Sequence, residues 1–166
     1  MERVQDEHER AVGRDFITWY NAKQRTAFRV VGRPDEAPDL ILRDGDRQMT
    51  AEVTTCYYDA QHARFLWAPA RGRPDEMRTW SGQDFEKGLV QSINDELERK
   101  CGNDYGPGCV LLISVHPTVT TATMMTEILK DLVLPKRNPF EGIYLVGHFA
   151  SRSRFSPAEL EVRQLA

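Results

Sequence analysis

Two unbroken apolar runs in the second half of the chain constrain its fold most strongly. Residues 110–113 read VLLI and residues 143–146 read IYLV. Apolar runs without polar alternation are typical of strands that are buried on both faces, as in parallel sheets. We expect strands over 109–115 and 142–149, with a helix over 118–134 between them. This arrangement predicts the α/β class, with a mixed sheet and helices on both of its faces.

Hydrophobic periodicity and turn residues predict the other elements of a single domain over residues 1–166. Residues 59–83 show no sustained period, and we interpret them as a long loop or insertion. The predicted order of elements is α, β, β, β, α, β, α, β, α. Besides the three elements above, it comprises a helix over 2–23, a strand over 28–31, a hairpin with arms 39–43 and 48–58, a helix from the Ser81–Asp84 start to Lys100, and a terminal helix from a capping box at 156–159.

The sequence argues against several classes of protein. No apolar run approaches the roughly 20 residues that a membrane span requires. The charged start MERVQDEHER lacks the apolar region of a signal peptide, so we expect a cytoplasmic protein without a membrane partner. No P-loop, Rossmann fingerprint, GxSxG elbow or HExxH motif is present. Nucleotide-driven motors, dehydrogenases and serine hydrolases therefore find no support.

The net charge is −3, from 22 Lys and Arg against 25 Asp and Glu residues. This balance argues against a generic nucleic-acid coat protein, which would carry a basic surplus, but it leaves room for a local basic patch. The segment 59–83 is one candidate, because cations that could bind phosphates are interleaved there with aromatic side chains that could stack on bases. The alternative is a surface loop whose aromatic side chains pack on the domain. The candidate nucleic-acid-binding cations are Arg64, Arg71, Arg73 and Arg78.

The cysteines Cys56, Cys101 and Cys109 are odd in number and include no CxxC pair. Reduced thiols in a cytosolic protein are the simplest interpretation. A zinc site formed by these cysteines with His62 or His116 is the alternative, although no pair has the close spacing that such sites usually show.

The hairpin carries two acidic residues whose carboxylates could act together. Asp39 opens the first arm, and Glu52 lies late in the second. An Asp44–Gly45 turn of two residues would place them diagonally on one face, and a loop of four residues would place them directly opposite each other. An unbulged loop of three residues would put them on opposite faces. The pairing of the two carboxylates therefore depends on the length of the loop.

Two carboxylates on one face of an apolar sheet are costly unless a positive charge lies between them. Mg²⁺ suits such oxygen ligands, because it binds through one or two carboxylates, keeps several waters and accepts phosphate oxygens. The alternative is structural: Asp39 caps the start of a strand, and Glu52 points to solvent at an edge.

Pro38–Asp39, an apolar strand, an Asp-Gly turn and then Ala51–Glu52–Val53–Thr54 resemble the PD-(D/E)xK nuclease superfamily, also called restriction-endonuclease-like. The core order of that family, αβββαβ, is similar to the order predicted for residues 2–115. The motif itself covers only four or five residues, so the agreement with the element order carries most of the resemblance. It implies a restriction-endonuclease-like three-layer sandwich.

The resemblance also implies metal-dependent hydrolysis of nucleic-acid phosphodiester bonds, with Mg²⁺ or alternatively Mn²⁺ as the cofactor. Asp39, Glu52 and the backbone carbonyl of Val53 would hold the metal. Glu9 on the first helix would be a further acidic member of the site. The expected activity is that of an endonuclease on DNA, working as a homodimer or with a partner subunit.

The sequence departs from the family pattern at Thr54, where the family usually has Lys. A neutral Thr cannot supply the cation that orients the attacking water and stabilises the developing charge. Lys100 or Lys87 on the following helix could fill this role, with Gln83 or Gln91 as polar substitutes. Thr54 itself is the other candidate to assist catalysis. The alternative function is a nuclease-fold module that binds nucleic acid or assembles a complex without hydrolysis.

Overall fold

In a computed structural model, residues 2–58, 84–116, 120–151 and 157–166 are described. The segment 59–83 interpreted as a loop lies outside them, together with Arg64, Arg71, Arg73, Arg78, His62 and Gln83. The described residues form, in chain order, α1 (Glu2–Gln24), β1 (Arg29–Gly32), β2 (Leu40–Asp44), β3 (Arg47–Cys56), α2 (Phe85–Cys101), β4 (Cys109–Val115), α3 (Ala122–Ile128), a 3-10 turn (Leu129–Asp131), β5 (Gly142–Ala150) and β6 (Ala158–Gln164).

The six strands of the described residues form one sheet in the order β1-β2-β3-β4-β5-β6. The strands β1, β2 and β3 are antiparallel neighbours, β3, β4 and β5 are parallel, and β6 returns antiparallel to β5. The two apolar runs lie within β4 and β5, and every residue of β4 is buried. The α/β class and the mixed sheet expected from the sequence are therefore confirmed.

Helices cover both faces of this sheet. Val12 and Phe16 of α1 pack on one face, and α2 and α3 pack on the other. The stripe of α2 at every fourth residue, which contains Leu89, Ile93 and Leu97, is fully buried, as its periodicity predicts. Each such side chain stabilises the fold by roughly 1.5–3 kcal/mol through burial. The result is three layers, with the sheet between α1 and the α2–α3 pair.

The register of β2 against β3 decides which hairpin residues meet. Arg43 pairs with Gln48 and Asp44 pairs with Arg47, so the turn consists of the two residues between Asp44 and Arg47. The Arg43–Gln48 pair is the one that we expected to place the two acidic residues directly opposite each other. The alternative prediction, a turn of Asp44 and Gly45, is wrong. Gly45 opens the turn with a φ of 58°, a left-handed conformation that glycine adopts without strain.

The terminal helix expected from the capping box is wrong, because the segment forms β6. Charged and apolar residues alternate in it, and Leu160 and Val162 pack on the α1 side of the sheet. This period of two matches a strand, and pairing along the edge of β5 outweighs the local helix-start signal.

The helix expected over 118–134 is shorter than its apolar content suggests. α3 begins after Thr121, whose hydroxyl accepts a hydrogen bond from Met124 N at 3.3 Å as an N-cap. It ends at Ile128 and passes through the 3-10 turn, and Leu132 is already extended, with a ψ of 138°. The chain therefore leaves the helix before Pro135 forces it to do so.

The described residues include no helix with both the length and the apolar character needed to cross a bilayer.

Candidate functional site

Asp39 and Glu52 come together where β3 runs on past the start of β2. Leu40 pairs with Ala51, so one step further along the antiparallel register brings Asp39 opposite Glu52. The half-buried carboxylate of Asp39 accepts a hydrogen bond from Val53 N, with Oδ2 at 2.8 Å. The start of β2 is thereby tied to β3 beside Glu52.

Glu52 is a buried acid in the middle of β3, with 5% of its surface exposed. Its Oε1 accepts a hydrogen bond from Lys100 Nζ, and Lys100 is itself buried. Its Oε2 is buried and has no hydrogen-bond partner among the described residues. Burial raises the pKa of Glu52, and the carboxylate of Asp39 adds to the rise, while the hydrogen bond from Lys100 opposes it.

Helix α2 delivers Lys100 to this position because it runs antiparallel along β3. Going down the helix, the residues at every fourth position meet every second residue of the strand. Cys56 Sγ at the end of β3 donates to the carbonyl oxygen of Ser92 at 3.7 Å, and one turn later Glu96 meets Thr54. One further turn brings Lys100 to Glu52. Four helix residues rise about 6.0 Å and two strand residues about 6.6 Å, so the helix and the strand stay in register over these contacts.

Thr54 of β3 donates its hydroxyl proton to Glu96. Arg99 also donates to Glu96, with its Nε 3.1 Å from Oε1. Burial pushes the pKa of Glu96 upward, but the hydrogen bonds from Arg99 and Thr54 outweigh it, so that the pKa lies below its usual value. The sequence did not lead us to predict Glu96 as a residue of the site. Its spacing of one helix turn before Lys100 is a signal that could have found it.

Glu9 of α1 approaches the same site from the other layer. It is buried, with 4% of its surface exposed, and its Oε1 accepts from Gln5 Nε2 at 2.9 Å. Arg33, in the segment after β1, lies 3.2 Å from the second carboxylate oxygen. Burial raises the pKa of Glu9, and the carboxylates of Asp39 and Glu52 raise it further. The carboxylates of Glu9, Asp39 and Glu52 are therefore close enough to affect one another's pKa. Arg33 is a second residue of the site that the sequence did not predict.

The other described candidates for the cationic or polar partner lie away from Asp39 and Glu52. Lys87 and Gln91 are exposed on the first half of α2. Gln91 Nε2 donates to Asp95 on the same helix at 2.6 Å. The structure therefore brings Lys100, but neither Lys87 nor Gln91, to the acidic residues.

Two histidines border the site on its α1 side. The rings of His8 and His116 stack with centroids 5.2 Å apart, and His8 Nε2 lies 3.0 Å from Thr55 Oγ1. Burial lowers the pKa of His8 to about 4, and the neighbouring His116 contributes to this shift. Burial also lowers the pKa of His116. Both imidazoles are therefore neutral near pH 7.

The cysteines lie within the core on the α2 side of the sheet. Cys56, Cys101 and Cys109 are buried free thiols in one apolar cluster. Burial raises the pKa of Cys56 to about 12 and also raises the pKa of the other two thiols. Protonated thiols packed among apolar side chains are poor zinc ligands.

The carboxylate oxygens of Asp39 and Glu52 are the kind of ligand that a hard cation prefers. Glu52 Oε2 is buried without a hydrogen-bond partner among the described residues, and a cation would satisfy it. In the described part of the chain, no group of three or more His, Cys, Asp or Glu side chains could hold a metal ion alone. A cation here would therefore take one or two carboxylates and fill its other positions with carbonyl, water or phosphate oxygens. Mg²⁺ is bound in this way, so the residues fit it.

Comparison with known proteins found no family model that matches the chain and no significant match among curated proteins or solved structures.

Proposed function

We propose that the chain is a divergent member of the PD-(D/E)xK superfamily and a metal-dependent nuclease that cuts DNA as an endonuclease. One observation carries the proposal: Asp39, immediately before β2, lies beside Glu52 of β3, and the buried ammonium group of Lys100 contacts Glu52. The order α1-β1-β2-β3-α2-β4 of the described elements supports it, because it agrees with the αβββαβ core of that superfamily.

Asp39, Glu52 and the carbonyl of Val53 would hold Mg²⁺ or Mn²⁺, and Glu9 would add negative charge behind them. When bound, such a cation activates water for attack on phosphorus and neutralises phosphate charge. The hydrogen bond from Val53 N holds the Asp39 carboxylate against β3, so this ligand is positioned before any cation arrives. A preorganised ligand loses less conformational entropy on binding.

Lys100 would take over the role of the family lysine. Its ammonium group is buried beside Glu52 and provides the positive charge that Thr54 lacks. A buried cation next to a phosphate stabilises the negative charge that develops on its oxygens more strongly than an exposed one does. Thr54 would act through Glu96, which its hydroxyl contacts at the next helix turn. Thr54 and Glu96 would therefore position α2, and Lys100 would touch the substrate.

The substrate class follows from the ligand set. A cation held by two carboxylates keeps positions open for phosphate oxygens, which supports a phosphodiester substrate. The choice of DNA rests on the family resemblance. A homodimer, or one chain with a partner subunit, would place two such sites on the two strands of a duplex.

A cleavage assay with supercoiled and linear duplex DNA in Mg²⁺ or Mn²⁺ tests the proposal. We expect cleavage by the wild-type protein, loss of at least 100-fold in Asp39→Asn, Glu52→Gln and Lys100→Met, and no cleavage in EDTA. Asp46→Asn is the matched control, because Asp46 is an exposed acid in the turn of the same hairpin. Equal cleavage by all five proteins, with their folding verified by circular dichroism, refutes the site assignment.

The contact between Lys100 and Glu52 also favours a second candidate, a nuclease-fold module that binds nucleic acid without cutting it. Lys100 already neutralises Glu52, and a Thr occupies the position of the family lysine. Thermal melting with and without divalent metal separates the two functions. A metal-dependent rise in Tm that Glu52→Gln abolishes favours the enzyme, and an unchanged Tm in every protein favours the module.

A further inference from the structure

The sheet face that carries Glu52 continues along the hairpin to two exposed arginines. Alternate residues of a strand share a face, so Thr50 and Gln48 of β3 lie on the same face as Glu52. Gln48 pairs with Arg43 of β2, and Arg43 pairs with Arg29 of β1. Directly paired residues point to the same side, so both arginines lie on the face of the acidic site.

Among the described residues, no helix covers this face beyond the acidic site, because α2 ends there. The helix covers β3 from its carboxyl end down to the contact between Lys100 and Glu52, and it ends at the next residue, Cys101. Arg29, Arg43 and Gln48 are all exposed to solvent. A ligand that reaches the acidic pair can therefore also lie across the hairpin.

The positive charges of Arg29 and Arg43 favour the binding of an anion. Two like charges directly opposite each other on neighbouring strands destabilise a sheet unless an opposite charge lies between them. Neither Arg29 nor Arg43 has an ion-pair partner among the described residues, and Arg43 Nη2 donates to the neutral amide of Gln48 at 2.9 Å. That hydrogen bond holds the guanidinium on this face and leaves its charge uncompensated.

The opposite face of the same hairpin shows the contrast. Arg47 of β3 also lies at the turn end, but it pairs with Asp44 and lies over the ring of Phe28 at 5.5 Å. Its charge is therefore already compensated, and it faces the α1 side. Of the arginines on β1, β2 and β3, only Arg29 and Arg43, on the side of the acidic site, lack an ion-pair partner among the described residues.

We propose that Arg29 and Arg43 together bind a backbone phosphate of the nucleic-acid strand whose cleaved bond lies at Asp39 and Glu52. The inference rests on the proposed function and names the surface along which the substrate runs. Gln48 lies four residues before Glu52 on β3, which is about 13 Å along the strand. That distance corresponds to roughly four nucleotides of one strand along the axis of a duplex. Such a contact fixes the register of the substrate and reads no sequence.

Fluorescence anisotropy with a labelled DNA duplex of 20 base pairs, in EDTA so that nothing is cut, tests the contact on the full chain. We expect Arg29→Gln/Arg43→Gln to bind at least 10-fold more weakly than the wild type. Its plot of log Kd against log salt concentration should be shallower by about one phosphate contact. Arg47→Gln, which removes one positive charge from the other face, should stay within about twofold of the wild type.

Arg29→Lys/Arg43→Lys guards against a folding defect, because it keeps both charges. We expect it to recover part of the affinity and the full salt slope, but not the paired hydrogen bonds of guanidinium groups. Equal weakening by Arg47→Gln and by the double Gln variant overturns the proposal. Failure of the wild-type protein to bind any DNA or RNA duplex also overturns it.

Cleavage in Mg²⁺, measured on the same proteins, separates this inference from the proposed function. Duplex binding that depends on the two arginines without any cleavage refutes the nuclease and leaves the phosphate contact standing. Cleavage with full affinity in the double Gln variant refutes the phosphate contact and leaves the nuclease standing.

Discussion

Lys100 and Glu52 form a buried ion pair across 48 positions of the sequence. The side chains are 9% and 6% exposed, so water compensates neither charge. A buried pair contributes little net stability when it is complete, because desolvation offsets the attraction. Loss of one partner leaves a bare charge in the interior and is costly. The pair therefore links the stability of the fold to the chemistry of the site.

Lys100→Met is expected to lower the free energy of unfolding by about 3 kcal/mol, because Glu52 then stays buried without its cation. Urea denaturation at pH 7 measures this loss. Lys87→Met is the control on the same helix, and its exposed side chain should change stability by less than about 0.5 kcal/mol. Lys100→Met/Glu52→Gln should recover part of the loss. Equal and small effects of both single changes would contradict the burial of the pair.

Gly88→Ala is expected to destabilise the protein by about 2 kcal/mol. A Cβ at this position of α2 would lie 2.1 Å from the carbonyl oxygen of Tyr58, so the helix has to move away from the end of β3. In an unhindered helix the same change would stabilise by up to about 1 kcal/mol. Gly102→Ala provides the comparison, because a Cβ there would meet its nearest atom at 3.4 Å. A shift of Tm to higher temperature in Gly88→Ala would refute this close packing.

His8 is expected to make the protein less stable as the pH falls from 7 to 5. The folded pKa of His8 is about 4 against 6.5 in the unfolded chain, so the unfolded state takes up the proton first. A depressed histidine pKa therefore contributes stability above pH 6.5 that is lost toward pH 4. With allowance for partial exposure, we expect wild type to lose about 1 kcal/mol relative to His8→Gln over this interval. Parallel stability curves of the two proteins would contradict this environment.

The core of the fold was predictable because its signals are strong and local. Apolar residues at every fourth position predict a helix at α2, and an unbroken apolar run predicts a buried strand at β4. Both elements are confirmed. The last strand was not predictable from local signals. A proline at the first helical position with a glutamate behind it is a valid helix start, and the edge of β5 decides against it only in the folded chain.

Most residues of the candidate site could be predicted from the sequence, but their positions relative to one another could not. The register that opposes Asp39 and Glu52 depends on Gly45 opening the turn, and the sequence allowed an even or an odd loop. Lys87 and Lys100 are equivalent as sequence positions of one helix. Only the antiparallel course of α2 along β3 selects Lys100, and this packing also brings Glu96 to Thr54.

Binding of Mn²⁺, followed by electron paramagnetic resonance on the full chain, tests the central claim most directly. We expect wild type and Asp46→Asn to bind one ion with equal affinity, and Asp39→Asn and Glu52→Gln to bind it at least 10-fold more weakly, because each removes one carboxylate ligand. Unchanged affinity in both site variants, or no bound Mn²⁺ in the wild type, would contradict a metal site at Asp39 and Glu52.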